Sequence, residues 1–161
     1  MKTRKLSQAE IYQKISRYCA YQERCRTDVI LKLKGWEQTQ KDIDELIEFL
    51  EKEGFVNDER YAASYVRGKF RSNKWGRNKI KEGLYAKRIP KQIIETALME
   101  LDDENYSGQL KHVLQKKDAV LVEEDSYKRK QKLALYAQSK GYELDLIWKV
   151  LKEINIEDNN D

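Results

Sequence analysis

The sequence predicts an all-α protein made of three tandem three-helix repeats that stack into an elongated, curved array. First, apolar residues recur with helical spacing along most of the 161-residue chain. Second, one spacing pattern occurs three times, at intervals of about fifty residues, as in repeat proteins. Third, one Pro and seven Gly are too few for the many turns of a β fold.

The repeated pattern is a stripe of four apolar residues with the spacing of one helix face. The three stripes are Ile43, Leu46, Ile47 and Leu50; Ile94, Ala97, Leu98 and Leu101; and Ile147, Val150, Leu151 and Ile154. Residues at such offsets lie on the same side of an α-helix. We expect all three stripes to face a core.

A turn precedes each stripe, in the segments "LKLKGW", "LYAKRI" and "YAQSKGY". Gly35 and Gly141 suit the left-handed position that ends a helix. Arg88 replaces this glycine in the middle copy, which predicts a different turn conformation there, and Pro90 suits the first turn of the next helix. The first copy is interpreted as having two extra residues in its turn.

Three helices are predicted in each repeat. The first repeat, 8–54, has helices at 8–24, 27–34 and 40–53, with Ser7, Thr27 and Thr39 as caps and Gly54 as the stop. The second, 55–101, has helices at 57–72, 76–87 and 90–101, capped at its start by Asn57. The third, 102–156, has helices at 103–117, 125–140 and 143–156, and 157–161 is predicted to be a disordered tail. Units this small bury little surface alone, so we expect neighbours to stack.

The residue pattern argues against catalysis and against a metal or cofactor. His112 is the single histidine, and Cys19 and Cys25 lack the partners of a zinc site, so they are expected to be reduced thiols. Acidic clusters at Asp42/Asp44/Glu45, Asp58/Glu59 and Asp102/Asp103/Glu104 could be Mg²⁺ ligands of a nuclease. All three lie at predicted helix starts, where carboxylates stabilise the helix dipole, and we favour that interpretation. No apolar run is long enough for a membrane span and no signal peptide is recognisable, so a cytoplasmic protein is expected.

A basic segment offers the best candidate for a binding site. Residues 67–91 hold ten Lys or Arg against one acid, Glu82, although the net charge of the chain is only +4. We predict a surface called here the basic face, formed by Arg67, Lys69, Arg71, Lys74, Trp75, Arg77, Lys79 and Lys81. Such a surface suits phosphates or an acidic protein, and Trp75 could stack on bases. An ordinary solvated helix surface is the alternative.

Several segments, in order, resemble the RecX family of regulatory proteins. They are "RCRTDVILKLKGW", "GFVNDERYAASYV", "KWGRNKIKEGLYAKRI" and "KRKQKLALYAQSKGYELDLIWKVL". The resemblance covers residues 10 to 154, and its most specific parts are "FVNDERYA" and "WGRNKI". Asn57 stands where the family usually has an acidic residue, and Arg88 where glycine is usual.

The resemblance implies a regulator of DNA recombination and repair. Members of this family bind the RecA recombinase filament along its groove and inhibit its ATPase and strand-exchange activities. The implied partners are the RecA filament and the single-stranded DNA within it, with no membrane partner, and the protein is expected to be a monomer. Whether the basic face touches recombinase or DNA stays open. A sequence-nonspecific nucleic-acid-binding module is the alternative function, and the region around Lys128, Arg129 and Lys132 is the alternative site.

Overall fold

The computed structural model describes residues 4–154, and every regular element in that range is an α-helix. The helices are α1 (Gln8–Tyr21), α2 (Arg26–Gly35), α3 (Gln40–Lys52), α4 (Asp58–Asn73), α5 (Arg77–Ala86), α6 (Lys91–Leu98), α7 (Asp103–Val120), α8 (Ser126–Ser139) and α9 (Leu144–Glu153). The prediction of an all-α fold of three-helix repeats is confirmed. The predicted tail, 157–161, and the predicted last residues of the final helix, 155–156, lie outside the described residues.

Side chains cap most of the helices that the sequence predicted to be capped. Ser7 accepts a hydrogen bond from the Glu10 N–H, Thr39 from the Asp42 N–H and Asn57 from the Arg60 N–H. The prediction of Thr27 as a cap was wrong, because α2 begins one residue earlier. Cys25 is its cap.

Cys25 and Asp28 form a reciprocal capping box at the start of α2. The Cys25 Sγ accepts from the Asp28 N–H at 3.4 Å, and the Asp28 Oδ2 accepts from the Cys25 N–H at 3.3 Å. Sequence rules for capping boxes expect Ser or Thr at the first position. Because a cysteine occupies this position, the rule does not identify the cap from the sequence.

Each group of three helices surrounds its own core. The first core lies between α1, α2 and α3, the second between α4, α5 and α6, and the third between α7, α8 and α9. The apolar stripes are central to these cores, with Ile43, Ile94 and Ile147 all nearly or fully buried. The last residues of the second and third stripes, Leu101 and Ile154, are half-buried against a core.

The cores share residues across the predicted repeat boundaries. Val56, predicted to lie in the second repeat, is buried in the first core, and Cys25 of the first repeat is buried in the second core. The exact division at 54/55 and 101/102 therefore stays a prediction, while the helices themselves fall into three groups.

One turn geometry precedes α3, α6 and α9. In each turn a backbone N–H donates to the carbonyl five residues earlier: Gln38 to Leu33, Ile89 to Leu84 and Tyr142 to Ala137, at 3.1 to 3.2 Å. The residues just before these donors, Glu37, Arg88 and Gly141, all have positive φ, of 59°, 57° and 97°. This is the Schellman arrangement, which normally uses glycine at the positive-φ position.

These turns correct three expectations. Gly35 is the last residue of α2 and is not left-handed, since Glu37 takes that role. The first turn consequently has no extra residues, because Glu37, Arg88 and Gly141 each lie six positions before the first residue of their stripe. Arg88 adopts the same left-handed conformation as Gly141, not a different one.

Polar contacts join the first group of helices to the second; we call them the first joint. The Asp58 Oδ1 accepts from the Arg26 N–H at 2.9 Å, which adds a second carboxylate to the start of α2. Arg60 pairs with Glu23 at 2.7 Å, and Lys87 pairs with Asp28 at 2.6 Å. All of these contacts surround the start of α2 or the end of α1.

Backbone contacts dominate the second joint, which links the second group of helices to the third. The Gly76 N–H donates to the Lys140 carbonyl at 2.8 Å, and the Asn78 N–H donates to the Gly141 carbonyl at 2.9 Å. A Cβ on Gly76 would lie only 2.5 Å from the Gly141 backbone. Phe70 stacks on Tyr106 of α7, with ring centroids 6.0 Å apart. Only glycine allows these two segments of the backbone to approach so closely.

Candidate functional site

The predicted basic face is divided by the structure into separate parts. Arg67 and Arg71 are exposed on α4, four residues apart and therefore on one side of that helix. Lys69 is about 160° away from Arg71 around the same helix, because successive residues turn by about 100°. Arg67 pairs with Glu100 at 3.4 Å, whereas Arg71 has no ion pair among the described residues.

Trp75 gathers two of the predicted lysines around its ring. The Lys69 Nζ lies 4.9 Å and the Lys79 Nζ 4.8 Å from the ring centroid, both at cation–π distance. The Trp75 N–H also donates to the Lys69 carbonyl at 3.2 Å. Trp75 is half-buried against the second core, so its ring is held in place. We call Lys69, Trp75 and Lys79 the Trp75 cluster.

Lys74 lies at the bend between α4 and α5 in a left-handed conformation, with φ of 59°. The Tyr142 hydroxyl donates to the Lys74 carbonyl at 2.8 Å, so the third group of helices holds this bend. The Lys74 side chain is exposed and has no ion pair among residues 4–154. Lys74 thus lies on the surface, its part in a binding face stays a prediction, and its left-handed conformation was not predicted.

Arg77 does not lie on the exposed face that the sequence predicted. Its guanidinium pairs with Glu143 at 2.9 Å and with Asp103 at 3.0 Å, and it lies over the Tyr106 ring at 3.7 Å from the centroid. Its side chain is only 24% exposed. The charge of Arg77 is neutralised within the second joint, and it is removed from the candidate binding surface.

Tyr106 and Glu143 complete this partly buried network. The Tyr106 hydroxyl donates to the Glu143 carboxylate, and it accepts from the backbone N–H of Arg77 at 2.9 Å. Burial, followed by the hydrogen bond to Glu143, raises the pKa of the Tyr106 hydroxyl far above its usual value. Tyr106 therefore keeps its proton and remains a donor at every physiological pH.

Lys81 is half-exposed and has no ion pair in the part of the chain that the structure describes. It lines a cleft together with Arg77 and the acids Glu95, Asp102 and Asp103. The acids of this cleft make its charge mixed. Lys81 therefore has acidic residues around it, unlike the two lysines of the Trp75 cluster.

The alternative region in the third repeat has little free charge. Arg129 binds Asp118 at 2.5 Å and two backbone carbonyls, and Lys132 pairs with Glu123 at 2.6 Å. Lys128 remains exposed. Arg129 thus holds the start of α8 against the end of α7, and Lys132 binds the connection between the two helices.

The acidic clusters that resembled metal ligands have structural contacts. Asp58 accepts from α2, Asp102 caps α7, and Asp103 pairs with Arg77. Within residues 4–154, no three His, Cys, Asp or Glu side chains are grouped as a metal would require. Asp42, Asp58 and Asp103 lie in the first turns of α3, α4 and α7, where the helix-start interpretation places them, and the expected absence of a metal stays a prediction.

Both cysteines are buried free thiols. Burial is the largest cause that raises the pKa of the Cys25 thiol, to about 11, and it also raises that of Cys19. Thiols are nucleophilic as thiolates, so both are unreactive near neutral pH. Cys25 contributes a helix cap.

None of the described helices is long and apolar enough to cross a membrane.

Comparison with protein families gives two matches within the chain. Residues 57–98 match the second three-helix domain of RecX, and residues 104–151 match its third three-helix domain. The chain belongs to the RecX family. The matched ranges correspond to α4–α6 and α7–α9, so the second and third helix groups are RecX domains.

Curated relatives agree with the RecX assignment. The chain is 40% identical to the regulatory protein RecX of Clostridium acetobutylicum over 136 residues, covering 82% of this chain and 63% of the relative. It is 39% identical to the RecX of Clostridium beijerinckii over 132 residues, covering 81% and 61%. The chain thus spans a little over three fifths of these RecX proteins.

Solved RecX structures share the fold. The crystal structure of RecX from Lactobacillus salivarius has a TM-score of 0.85 and 26% identity, covering 92% of this chain and 97% of that one. Another crystal structure of regulatory protein RecX has a TM-score of 0.79 at 24% identity, covering 98% and 83%, and shows the shared fold.

The two sequence segments that best indicate RecX membership correspond to the two joints. In "FVNDERYA", Asp58 and Arg60 contact the first helix group, and Val56 enters its core. In "WGRNKI", Gly76, Arg77 and Asn78 contact the third group. These segments therefore set the geometry between units, and only part of "WGRNKI" is available to a partner.

Proposed function

We propose that this protein regulates RecA by binding its filament and inhibiting the ATPase and strand-exchange activities. Membership of the RecX family, whose curated members are named regulatory proteins, supports a regulatory role. The observation that carries the proposal is the set of unneutralised cations on α4, on α5 and at the bend between these helices. Among the described residues, Lys69, Arg71, Lys74, Lys79 and Lys81 form no ion pair with an acid.

These cations suit an anionic partner because no charge within the chain has to be displaced. Binding then gains the full attraction and releases the counterions of the partner. A RecA filament contains single-stranded DNA, whose phosphates are such a partner, and any acidic recombinase surface is another. We propose that the surface comprises Lys69, Arg71, Lys74, Trp75, Lys79 and Lys81, without Arg77. Arg67 belongs to it as well, because its exposed pair with Glu100 is weak and costs little to open.

The arrangement in three joined units supports a target that itself repeats. An array of units connected only to their neighbours can contact several subunits of a filament at once. We propose that the protein acts in the cytoplasm as a monomer and without chemistry of its own.

The test is the ATPase activity of RecA on single-stranded DNA with this protein added below stoichiometry. The parent protein should inhibit at such levels. Arg71→Glu/Lys79→Glu should require at least about tenfold more protein, roughly 1.4 kcal/mol of lost binding. Lys41→Glu/Lys52→Glu is the matched control, since it makes the same charge change on exposed positions of α3 and should inhibit like the parent. Equal inhibition by all three proteins would refute the proposed surface.

A general DNA-coating module is the alternative, and Trp75 is the observation that favours it. An aromatic ring beside two lysines is suited to stacking on a base of single-stranded DNA. A coating protein would inhibit an unrelated ATPase that depends on single-stranded DNA as strongly as RecA. A filament regulator would leave that enzyme active at the same concentration. Trp75→Ala that loses free DNA binding but keeps RecA inhibition would assign the ring to bases alone.

A further inference from the structure

A cavity of about 360 Å³ lies at the second joint, on the surface shared by the end of α4, α7 and α8. Its lining includes four lysines, one histidine and one tyrosine: Lys74, His112, Lys116, Lys117, Tyr136 and Lys140. No Asp or Glu lines it. His112, the single histidine of the sequence, is part of this lining.

The cavity is formed by residues from two helix groups. Lys74 comes from the left-handed bend that the Tyr142 hydroxyl holds. His112 and Lys116 are four residues apart and share one side of α7. Lys140 lies at the end of α8, where its carbonyl accepts from the Gly76 N–H. The second joint thus brings these cations together and fixes their backbones.

The charges of this cavity are not neutralised within the chain. None of the four lysines forms an ion pair with an acid in the part of the chain described by the structure, and His112 has no polar partner there. Lys117 and Lys140 instead lie 4.8 Å and 5.8 Å from the centroid of the Tyr136 ring. Four like charges around one small cavity repel one another, and an anion would remove that cost.

We propose that this cavity is a binding site for closely spaced phosphate groups, such as a triphosphate chain. Four lysines exceed what a single phosphodiester needs, and they match a compact group with several negative charges. Lysine ammonium groups bind phosphate as point charges and require no particular plane of approach. Lys117 and Lys140 lie close to the Tyr136 ring, so two of the four ammonium groups are held at the cavity before an anion binds.

Calorimetric titration with inorganic triphosphate at low salt tests the site directly. The parent should bind about one triphosphate per chain, and raising the salt concentration should weaken binding. Lys116→Ala/Lys140→Ala should weaken it at least tenfold. Lys41→Ala/Lys52→Ala removes the same charge from exposed positions of α3 and should bind like the parent. Lys116→Ala alone, with unchanged circular dichroism, guards against misfolding of the double variant and should also bind more weakly.

The source of the phosphates is decided by competition between triphosphate and a twelve-residue oligothymidine. Displacement of a bound oligothymidine by triphosphate would identify consecutive phosphates of a strand as one occupant. Simultaneous binding of both would identify a free polyphosphate, such as a nucleoside triphosphate, as the occupant. The proposal is overturned if triphosphate does not bind the parent at low salt, or if the pocket variants and the α3 control bind it equally.

Discussion

Arg77 and Arg71 are six residues apart in the chain and have different surroundings. Arg71 is exposed and has no ion pair among the described residues, whereas Arg77 contacts two carboxylates and a tyrosine ring. Asp103 is 97% exposed, so that contact contributes little. Glu143 and Tyr106 are more enclosed, and they give Arg77 most of its structural effect.

Removal of the Arg77 side chain should therefore destabilise the protein. Arg77→Ala leaves the Glu143 carboxylate without its cation in a partly buried site, and we expect a loss of about 2 kcal/mol in the free energy of unfolding. Arg71→Ala, at an exposed position, should change it by no more than about 0.5 kcal/mol. Urea denaturation of both variants measures the difference. Equal midpoints would show that the Arg77 network has no net stabilising effect.

The Asp28–Lys87 pair in the first joint should make stability depend on pH. Burial alone would raise the pKa of Asp28, but hydrogen bonds from Lys87 and Cys25 outweigh it and hold that pKa below its usual value. The hydrogen bond to Asp28 raises the pKa of Lys87. A lowered carboxyl pKa gives stability that is lost as the pH falls through the folded value, below about 4. A raised lysine pKa gives stability that is lost only as the pH rises beyond about 10.4.

The measurement is the stability of parent and Lys87→Met at pH 3, 5, 7 and 9. The parent should be more stable by at most about 1 kcal/mol between pH 5 and 9, since the lysine is partly exposed. The difference should shrink towards pH 3, because Asp28 is protonated in the unfolded chain there and the stability that depends on its ionised form begins to be lost. Lys81→Met, which removes an unpaired lysine from α5, the helix that Lys87 follows, is the control and should show no such pH dependence. A difference that stays constant down to pH 3 would assign it to packing instead.

At the scale of helices and turns, the sequence predicted what depends on short-range rules. The apolar stripes predicted α3, α6 and α9, because the spacing of residues on one helix face can be recognised without knowing what packs against that face. Ser7, Thr39 and Asn57 were recognisable caps for the same reason. Each of these features is complete within a few residues.

What the sequence did not predict depends on distant contacts. Nothing near Arg77 in the chain shows that Glu143 will neutralise it, 66 residues away. The left-handed conformation of Glu37 and Arg88 was missed because the rule expects glycine there. Lys116 and Lys140 come together only through the second joint. The run of Lys and Arg therefore identified a basic region, but it did not indicate which of these side chains form ion pairs within the protein.

The turn before α6 offers a direct test of this geometry. Arg88 is an exposed side chain in the left-handed region, with φ of 57°, where most residues are strained. Arg88→Gly should relieve that strain and stabilise the protein by up to about 1 kcal/mol, although the greater freedom of glycine in the unfolded chain offsets part of the gain.

The opposite outcome is expected at Gly141, which has φ of 97° and lies where a Cβ would be 2.4 Å from the Lys79 Cβ. Gly141→Ala should therefore destabilise the protein. Thermal unfolding of the two variants gives the comparison. A lower melting temperature for Arg88→Gly would mean that the Arg88 side chain contributes contacts that outweigh its backbone strain.

At the scale of the whole molecule, stability is expected to follow the joints. Each helix group has its own core, and the described joint contacts link consecutive groups. In such an array the energy of one interface couples two neighbours and has little direct effect on more distant units. Damage at one joint should therefore loosen one end of the molecule more than the other.

Gly76→Ala tests this coupling at the second joint. The new Cβ would lie 2.5 Å from the backbone of Gly141 and Tyr142, which cannot rotate away, so α5 and the turn before α9 must separate. Overpacking of this kind costs about 1–3 kcal/mol. Hydrogen exchange of backbone amides should accelerate most in α7, α8 and α9, while the protection of α1, α2 and α3 should stay near that of the parent.

Gly68→Ala is the matched control, because a Cβ at that exposed position of α4 meets no atom within 4 Å. It should stabilise α4 by about 0.5–1 kcal/mol, the usual gain when alanine replaces glycine within a helix. Faster exchange in α7–α9 for Gly76→Ala but not for Gly68→Ala would place the coupling at the close backbone contact. If Gly76→Ala accelerated exchange equally in all nine described helices, the chain would unfold as one cooperative unit. The second joint would then be inseparable from the cores on either side of it.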